Sequence, residues 1–105
     1  MKKDKHETKV VFIEFDCKDG TTETTALFPE IEADMNGNIL CYAHIGQHGA
    51  ARPELIVTER LSTFNEYEEL KNELENIGYN LKVLHGLKDF IRIYKKFNLD
   101  IPLPL

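Results

Sequence analysis

The segment Cys41-Tyr42-Ala43-His44-Ile45-Gly46-Gln47-His48-Gly49-Ala50-Ala51 holds the densest set of chemistry-bearing side chains in the sequence. Cys41, His44 and His48 stand at a C-x2-H-x3-H spacing, which suits zinc if a further donor converges on them. His85, Cys17 or a carboxylate are the available fourth donors, and no spacing selects among them. The same residues offer a cysteine nucleophile beside a histidine base, a pairing that needs a hydrogen-bonded approach and a third orienting group. On a strand, however, Cys41 and His44 point to opposite faces, whereas His44 and His48 share one if the strand continues. Gly46-Gln47-His48-Gly49 has the spacing of a GxxG phosphate loop, yet a strand precedes it and only Arg52 is near. The glycines are therefore expected to serve a tight turn. The favoured reading is a binding loop formed by Tyr42, His44, Gln47, His48 and Arg52, with no catalytic residue, metal or cofactor. The metal set Cys41, His44 and His48 is the alternative.

Certain elements must position this loop. From Lys9 to Lys18, Val11, Ile13, Phe15 and Cys17 alternate with Val10, Phe12, Glu14 and Asp16, which reads as a strand apolar on both faces at its start. Asp19-Gly20 signals a two-residue hairpin turn, and a second strand runs from Thr21 to about Phe28, where Pro29 ends or edges it. Asn36-Gly37 marks another turn, Ile39–Ile45 a third strand, and Gly46 to Arg52 the glycine-bearing loop. Leu55-Ile56-Val57-Thr58 reads as a short fourth strand. Thr63-Phe64-Asn65-Glu66 is a capping-box pattern, followed by Phe64, Tyr67, Leu70, Leu74 and Ile77 at helical spacing, with Gly78 past the end. After a β-like Tyr79 to Leu84, residues Leu87, Phe90, Ile91, Tyr94 and Phe97 mark a second amphipathic helix.

The expected fold is α+β: an antiparallel sheet of three to four strands, one main amphipathic helix packed on it, and a second, C-terminal helix. Residues 1–8 are expected to fray, 9–98 to form a single domain, and 99–105 to be an apolar, proline-containing tail. Core candidates are Phe12, Ile13, Phe15, Leu27, Phe28, Leu40, Leu70, Leu74, Ile77, Leu81, Val83, Phe90 and Ile91. The tail's Leu99, Ile101, Leu103 and Leu105 alternate with Asp100, Pro102 and Pro104. Such a strip either folds back on its own domain or joins two copies in a homodimer.

At 105 residues and 42% hydrophobic, the chain fits one globular domain, and its formal net charge of −5 opposes general nucleic-acid binding. No apolar run reaches the length of a membrane span, and no signal-peptide pattern opens the chain, so a cytoplasmic protein with free thiols at Cys17 and Cys41 is expected. Charge is segregated: Glu14, Asp16, Asp19, Glu23, Glu30, Glu32 and Asp34 face only Lys18, whereas Lys82, Lys88, Arg92, Lys95 and Lys96 cluster late. Glu14, Asp16, Glu23, Glu30, Glu32 and Asp34 form a candidate acidic interaction face.

The first hairpin with Ala26-Leu27-Phe28-Pro29-Glu30-Ile31 resembles the opening of HicB-type antitoxins over about a fifth of the chain, and the regulatory role of that family does not carry over. A longer stretch is similar to short reading frames of phages and other mobile elements. It includes Phe28-Pro29-Glu30-Ile31, Ala33-Asp34, Asn36-Gly37, Cys41-Tyr42, His44 to Ala51, and Ile77-Gly78-Tyr79-Asn80-Leu81-Lys82-Val83. That resemblance carries no activity. It implies a small accessory protein that binds a protein partner in the host cytoplasm, an inhibitor of a host defence enzyme among the readings.

Overall fold

The structure, a computed structural model, describes residues 6–43, 47–85 and 87–97. β1 (Thr8–Asp16) and β2 (Thr22–Glu32) pair antiparallel with Val11 opposite Leu27 and Asp16 opposite Thr22. Strand β1 is apolar at every position from Val10 to Ile13, and all four side chains are buried because both faces of the sheet are covered. The turn is one residue longer than the Asp19-Gly20 reading. The Cys17 amide donates to the Thr21 carbonyl, the Gly20 amide donates to the Cys17 carbonyl, and Gly20 is left-handed at φ +87°. This is a three-residue loop, with the left-handed glycine placed after the turn.

Pro29 does not end β2. The strand continues to Glu32, and the proline sits where pairing with β3 (Ile39–Ala43) breaks register between Phe28 and Glu32. A bulge spares a sheet the N–H that proline lacks. The turn before β3 follows the sequence: Gly37 is left-handed, and Asp34 accepts from the amides of Asn36 and Asn38.

The expected loop from Gly46 to Arg52 is mostly a strand. β4 (Gln47–Ala51) pairs antiparallel with β3 along its whole length, Tyr42 opposite His48 and Ile39 opposite Ala51. Leu55–Thr58, read as a strand, is instead a single helical turn, α1, which begins just after Pro53. β5 (Arg60–Leu61) then joins the far edge of β1. Next comes α2 (Phe64–Ile77), whose capping box forms in both directions between Thr63 and Glu66. Gly78 (φ +127°) closes it, with the amides of Gly78 and Tyr79 bonding back to the Leu74 carbonyl. β6 (Leu81–Val83) lies parallel to β1 beside β5, and α3 (Leu87–Phe97) follows.

The sheet order is β4-β3-β2-β1-β5, with β6 also on β1. The α+β class and the main helix are as read, but the sheet has more strands than the expected three to four, and helices cover both faces. One face packs Val11, Ile13, Leu27 and Ile39 against Ile56, Leu84 and Ile93. The other packs Val10, Phe12, Ala26, Phe28 and Tyr42 against Leu70 and Leu74 of α2. Each fully buried leucine of α2 contributes roughly 1.5–3 kcal/mol of burial. Two core candidates are on the surface, Ile77 at 46% and Ile91 at 37% exposure. Ile77 is in the last turn of α2, and among the described side chains of α3 it is Ile93 that is buried. The Phe90 side chain, the tail and residues 1–5 lie outside the described residues. Among those described, no helix is long and apolar enough to cross a membrane.

Candidate functional site

The β3–β4 hairpin carries the described residues of the expected binding loop. Strand alternation sends Tyr42, and His48 opposite it, to the face covered by α2; Cys41 goes to the other face. Cys41 and His48 therefore diverge, so the described part of the C-x2-H-x3-H set does not converge, and neither does a Cys41–His48 nucleophile–base pair. His44 lies outside the described residues. Among those described, no three His, Cys, Asp or Glu side chains are grouped to hold a metal ion. Burial pushes the Cys41 thiol up, which disfavours the thiolate, with the Gly49 amide as a smaller opposing influence. Gly49 is not left-handed, and a Cβ there would make ordinary contact with Cys41 Sγ at 3.5 Å. The tight-turn role expected of it does not apply.

The hairpin does assemble an aromatic cluster on the α2 face. The His48 ring meets Tyr42 edge-on at 4.8 Å between centroids, and its Nε2 lies 2.8 Å from the Tyr79 hydroxyl. Tyr79 in turn stacks on Phe28 at 5.1 Å. Tyr42 is 3% exposed and hydrogen-bonds the Glu73 carboxylate on α2. That bond holds the phenol protonated and raises its pKa; burial and the carboxylate's charge act in the same direction. The Tyr79 phenol is raised by burial. Both tyrosines are thus neutral hydrogen-bonding groups over the neutral range. Tyr79 and Glu73 were not among the sequence candidates. The signal for Tyr79 was its place immediately after the helix-closing Gly78, where an apolar residue folds back on the helix.

Gln47 opens β4, and its side chain lies outside the described residues. Arg52 is exposed just after β4, on the rim of an open trough on the opposite face of the sheet. Cys41, Ala43, Ala51 and Leu55 line this trough, and Glu23 stands on another part of its rim. The small residues of β4 leave this face shallow and apolar.

The acids do not make one face. Glu14 is buried at 5% exposure and accepts hydrogen bonds from Thr22 Oγ1, Thr24 Oγ1 and Ser62 Oγ, so it is an internal anchor. Phe15 pairs with Glu23 and Asp16 with Thr22, which sets Asp16 and Glu23 on opposite faces. Glu30 pairs with Lys9 at 3.1 Å, Glu32 is exposed at the end of β2, and Asp34 is committed to its turn. The Asp34 carboxyl is held below the usual range by its bonds to Asn38 and Asn36.

The sheet's two borders differ. The far edge of β1 is taken by β5 and β6. The outer edge of β4 pairs with no strand among the described residues, and His48, Gly49 and Ala50 are exposed along it. This strand holds no Lys, Asp, Glu or Pro, the residues that ordinarily guard a sheet edge. The chain matches no known family model, curated protein or solved structure.

Proposed function

We propose that the chain is a small, non-enzymatic protein-binding module that takes an extended segment of a partner protein as an additional strand on β4. The observation that supports this reading is the outer edge of β4, uncharged and without a strand partner among the described residues. In strand addition, backbone hydrogen bonds supply affinity and pockets for alternate side chains supply specificity. Two such surfaces flank this edge. On one side is the apolar trough of Cys41, Ala51 and Leu55; on the other is the rim of His48 and Tyr79. The preferred partner segment is therefore extended and unbranched by secondary structure, with apolar side chains at alternate positions. The resemblance of residues 28–83 to mobile-element reading frames favours a host protein as its source.

Peptides selected from a random display library against the full chain test the reading. Selected peptides should carry the alternating apolar pattern and shift the amide resonances of Gln47 to Ala51. N-methylation at one alternate set of their amides should weaken binding by about tenfold or more, and at the other set should be tolerated. Binders that map away from β4, or that tolerate N-methylation at every position, would refute strand addition.

A further inference from the structure

Strand register decides which backbone groups β4 turns outward. The Cys17 amide donates to the Thr21 carbonyl, and hydrogen-bonded and open pairs alternate from there across β1, β2 and β3. The alternation makes Cys41 and Gly49 a bonded pair of β3 and β4, so His48 and Ala50 turn their amides and carbonyls to the outer edge. His48, Gly49 and Ala50 are exposed there. The fold does not itself require glycine at position 49, where φ is not left-handed and a Cβ would make ordinary contact. Glycine inside a strand often marks the close approach of another backbone.

From this geometry we infer that two copies of the chain join β4 to β4, antiparallel, about a two-fold axis through Gly49. The inference rests on the reading of β4 as a strand acceptor and names the strand that holds the edge until a partner segment displaces it.

One register completes the pairing. With Gly49 opposite Gly49 of the second copy, Gln47 meets Ala51, His48 meets Ala50, and all of β4 is paired. His48 and Ala50 then exchange backbone bonds with Ala50 and His48 of the second copy, so each outward amide of the strand is used. The Gly49 pair is an open one, in which Cα atoms approach to about 4.5 Å, and glycine sets no side chain on the axis. Moving the axis to His48 or Ala50 would leave one end of β4 unpaired, and at His48 it would set two imidazoles directly opposite each other. Size agrees as well, since each His48 ring has the small Ala50 as its cross-strand neighbour.

Charge does not oppose the contact. No Lys, Arg, Asp or Glu stands in β4. The two Arg52 residues lie three positions either side of the axis, about 20 Å apart along the strands, well beyond the roughly 8 Å over which salt leaves charges unscreened. α2 packs over β1, β2 and Tyr42 of β3, which leaves His48 and Ala50 uncovered. A symmetric contact occupies the edge of both copies at once, so association stops at two.

Sedimentation equilibrium on the full chain between about 20 µM and about 1 mM tests the association, and cysteine cross-linking tests its register. The wild type should approach twice the monomer mass at about 1 mM. Ala50→Pro removes an amide that the pairing with β3 does not use, and Ala50→Lys adds a charge to the edge. Both should stay monomeric throughout, with unchanged circular dichroism. In a Cys17→Ser, Cys41→Ala background, Gly49→Cys should give a disulfide-linked dimer on mild oxidation, because the axis sets residue 49 against its own copy. Ala51→Cys, about 13 Å from its own copy along the strands, should not. The library-selected peptides should return the wild type to monomer mass. A wild type that is monomeric at about 1 mM, a dimer that survives in both Ala50 variants, or cross-linking at residue 51 as ready as at residue 49 overturns the inference. If the peptides still shift the amides of Gln47 to Ala51 in that case, the dimer fails and the edge reading stands. If they bind elsewhere, the edge reading fails with it.

Discussion

Replacing Glu14 by glutamine tests the internal anchor that the structure shows against the surface acid expected from the sequence. Its carboxylate accepts from three hydroxyls, those of Thr22, Thr24 and Ser62. A hydrogen bond to a charged group contributes about 1.5–3 kcal/mol, but the three are not equally exposed to loss. Thr22 is exposed, so water replaces its acceptor. Thr24 already has a second acceptor in the Glu66 carbonyl, at 3.2 Å. Ser62 is half-buried and bridges to Glu14 from the connection beside β5, so its bond is the one without ready replacement. Glutamine keeps the shape and one acceptor oxygen and turns the other acceptor into a donor, which the hydroxyls accommodate by rotating. The expected cost is therefore about 1–2 kcal/mol, one charged bond rather than three, or a fall in Tm of roughly 4–12 °C for a domain of this size. Urea unfolding followed by circular dichroism measures it, with Glu30→Gln as the surface comparison. Glu30 is exposed and paired only with Lys9, so its loss should cost less than about 0.5 kcal/mol. A Glu14→Gln variant within about 0.5 kcal/mol of wild type, or no less stable than Glu30→Gln, would refute the anchor.

Two further outcomes follow from the packing and the cap of α2. Leu74→Ala, at a fully buried position on the sheet-facing side of the helix, should cost about 2–5 kcal/mol in urea unfolding, whereas Met35→Ala at a fully exposed turn should change stability by less than about 0.5 kcal/mol. The two-pronged contact with Arg60 holds the Glu66 carboxyl down to about 2 from 4.5, with the Thr63 amide assisting. The folded state therefore binds this proton less readily than the unfolded state, so the contribution is complete above pH 4.5 and is lost as pH falls towards about 2. The stability gap between wild type and Glu66→Gln, measured in urea at pH 7, should close by about pH 2; a gap that persists there would show that the pair is not its source.

What the sequence made legible was local. The alternation from Val10 to Phe15, the Thr63–Glu66 box, the Leu70–Leu74 spacing and Gly78 each act within a few residues, and each is found where expected. Other features depend on distant partners. Gln47-His48-Gly49-Ala50-Ala51 has little strand propensity of its own, and its extended state comes from pairing along the whole of β3. Ile56 and Val57 read as strand because they are β-branched, yet Pro53 starts a helical turn and Ile56 fills the core from it. Glu14 fits a half-exposed strand by alternation, and its hydroxyl cage draws on Ser62, 48 residues away. The site divides in the same way. Tyr42 and His48 are six positions apart in sequence, and strand register sets them opposite each other; Tyr79 reaches them only because the closing turn of α2 returns the chain to the sheet.

The two borders of the sheet give the functional argument its direction. On the β1 side, two short strands share one edge, and the connection from β5 into α2 is tied down by the Arg60–Glu66 pair. That border is closed by elements of the fold itself. On the β4 side the fold leaves a row of backbone groups without strand partners among the described residues, bordered by small residues that hinder no incoming chain. A long open edge is an aggregation hazard unless it is occupied. A strand that holds no Lys, Asp, Glu or Pro does nothing of its own to turn away an incoming strand. On the strand-addition reading, a partner segment would set one alternate series of its side chains over the trough beside Cys41 and the other beside His48 and Tyr79, so these two surfaces decide which segment fits.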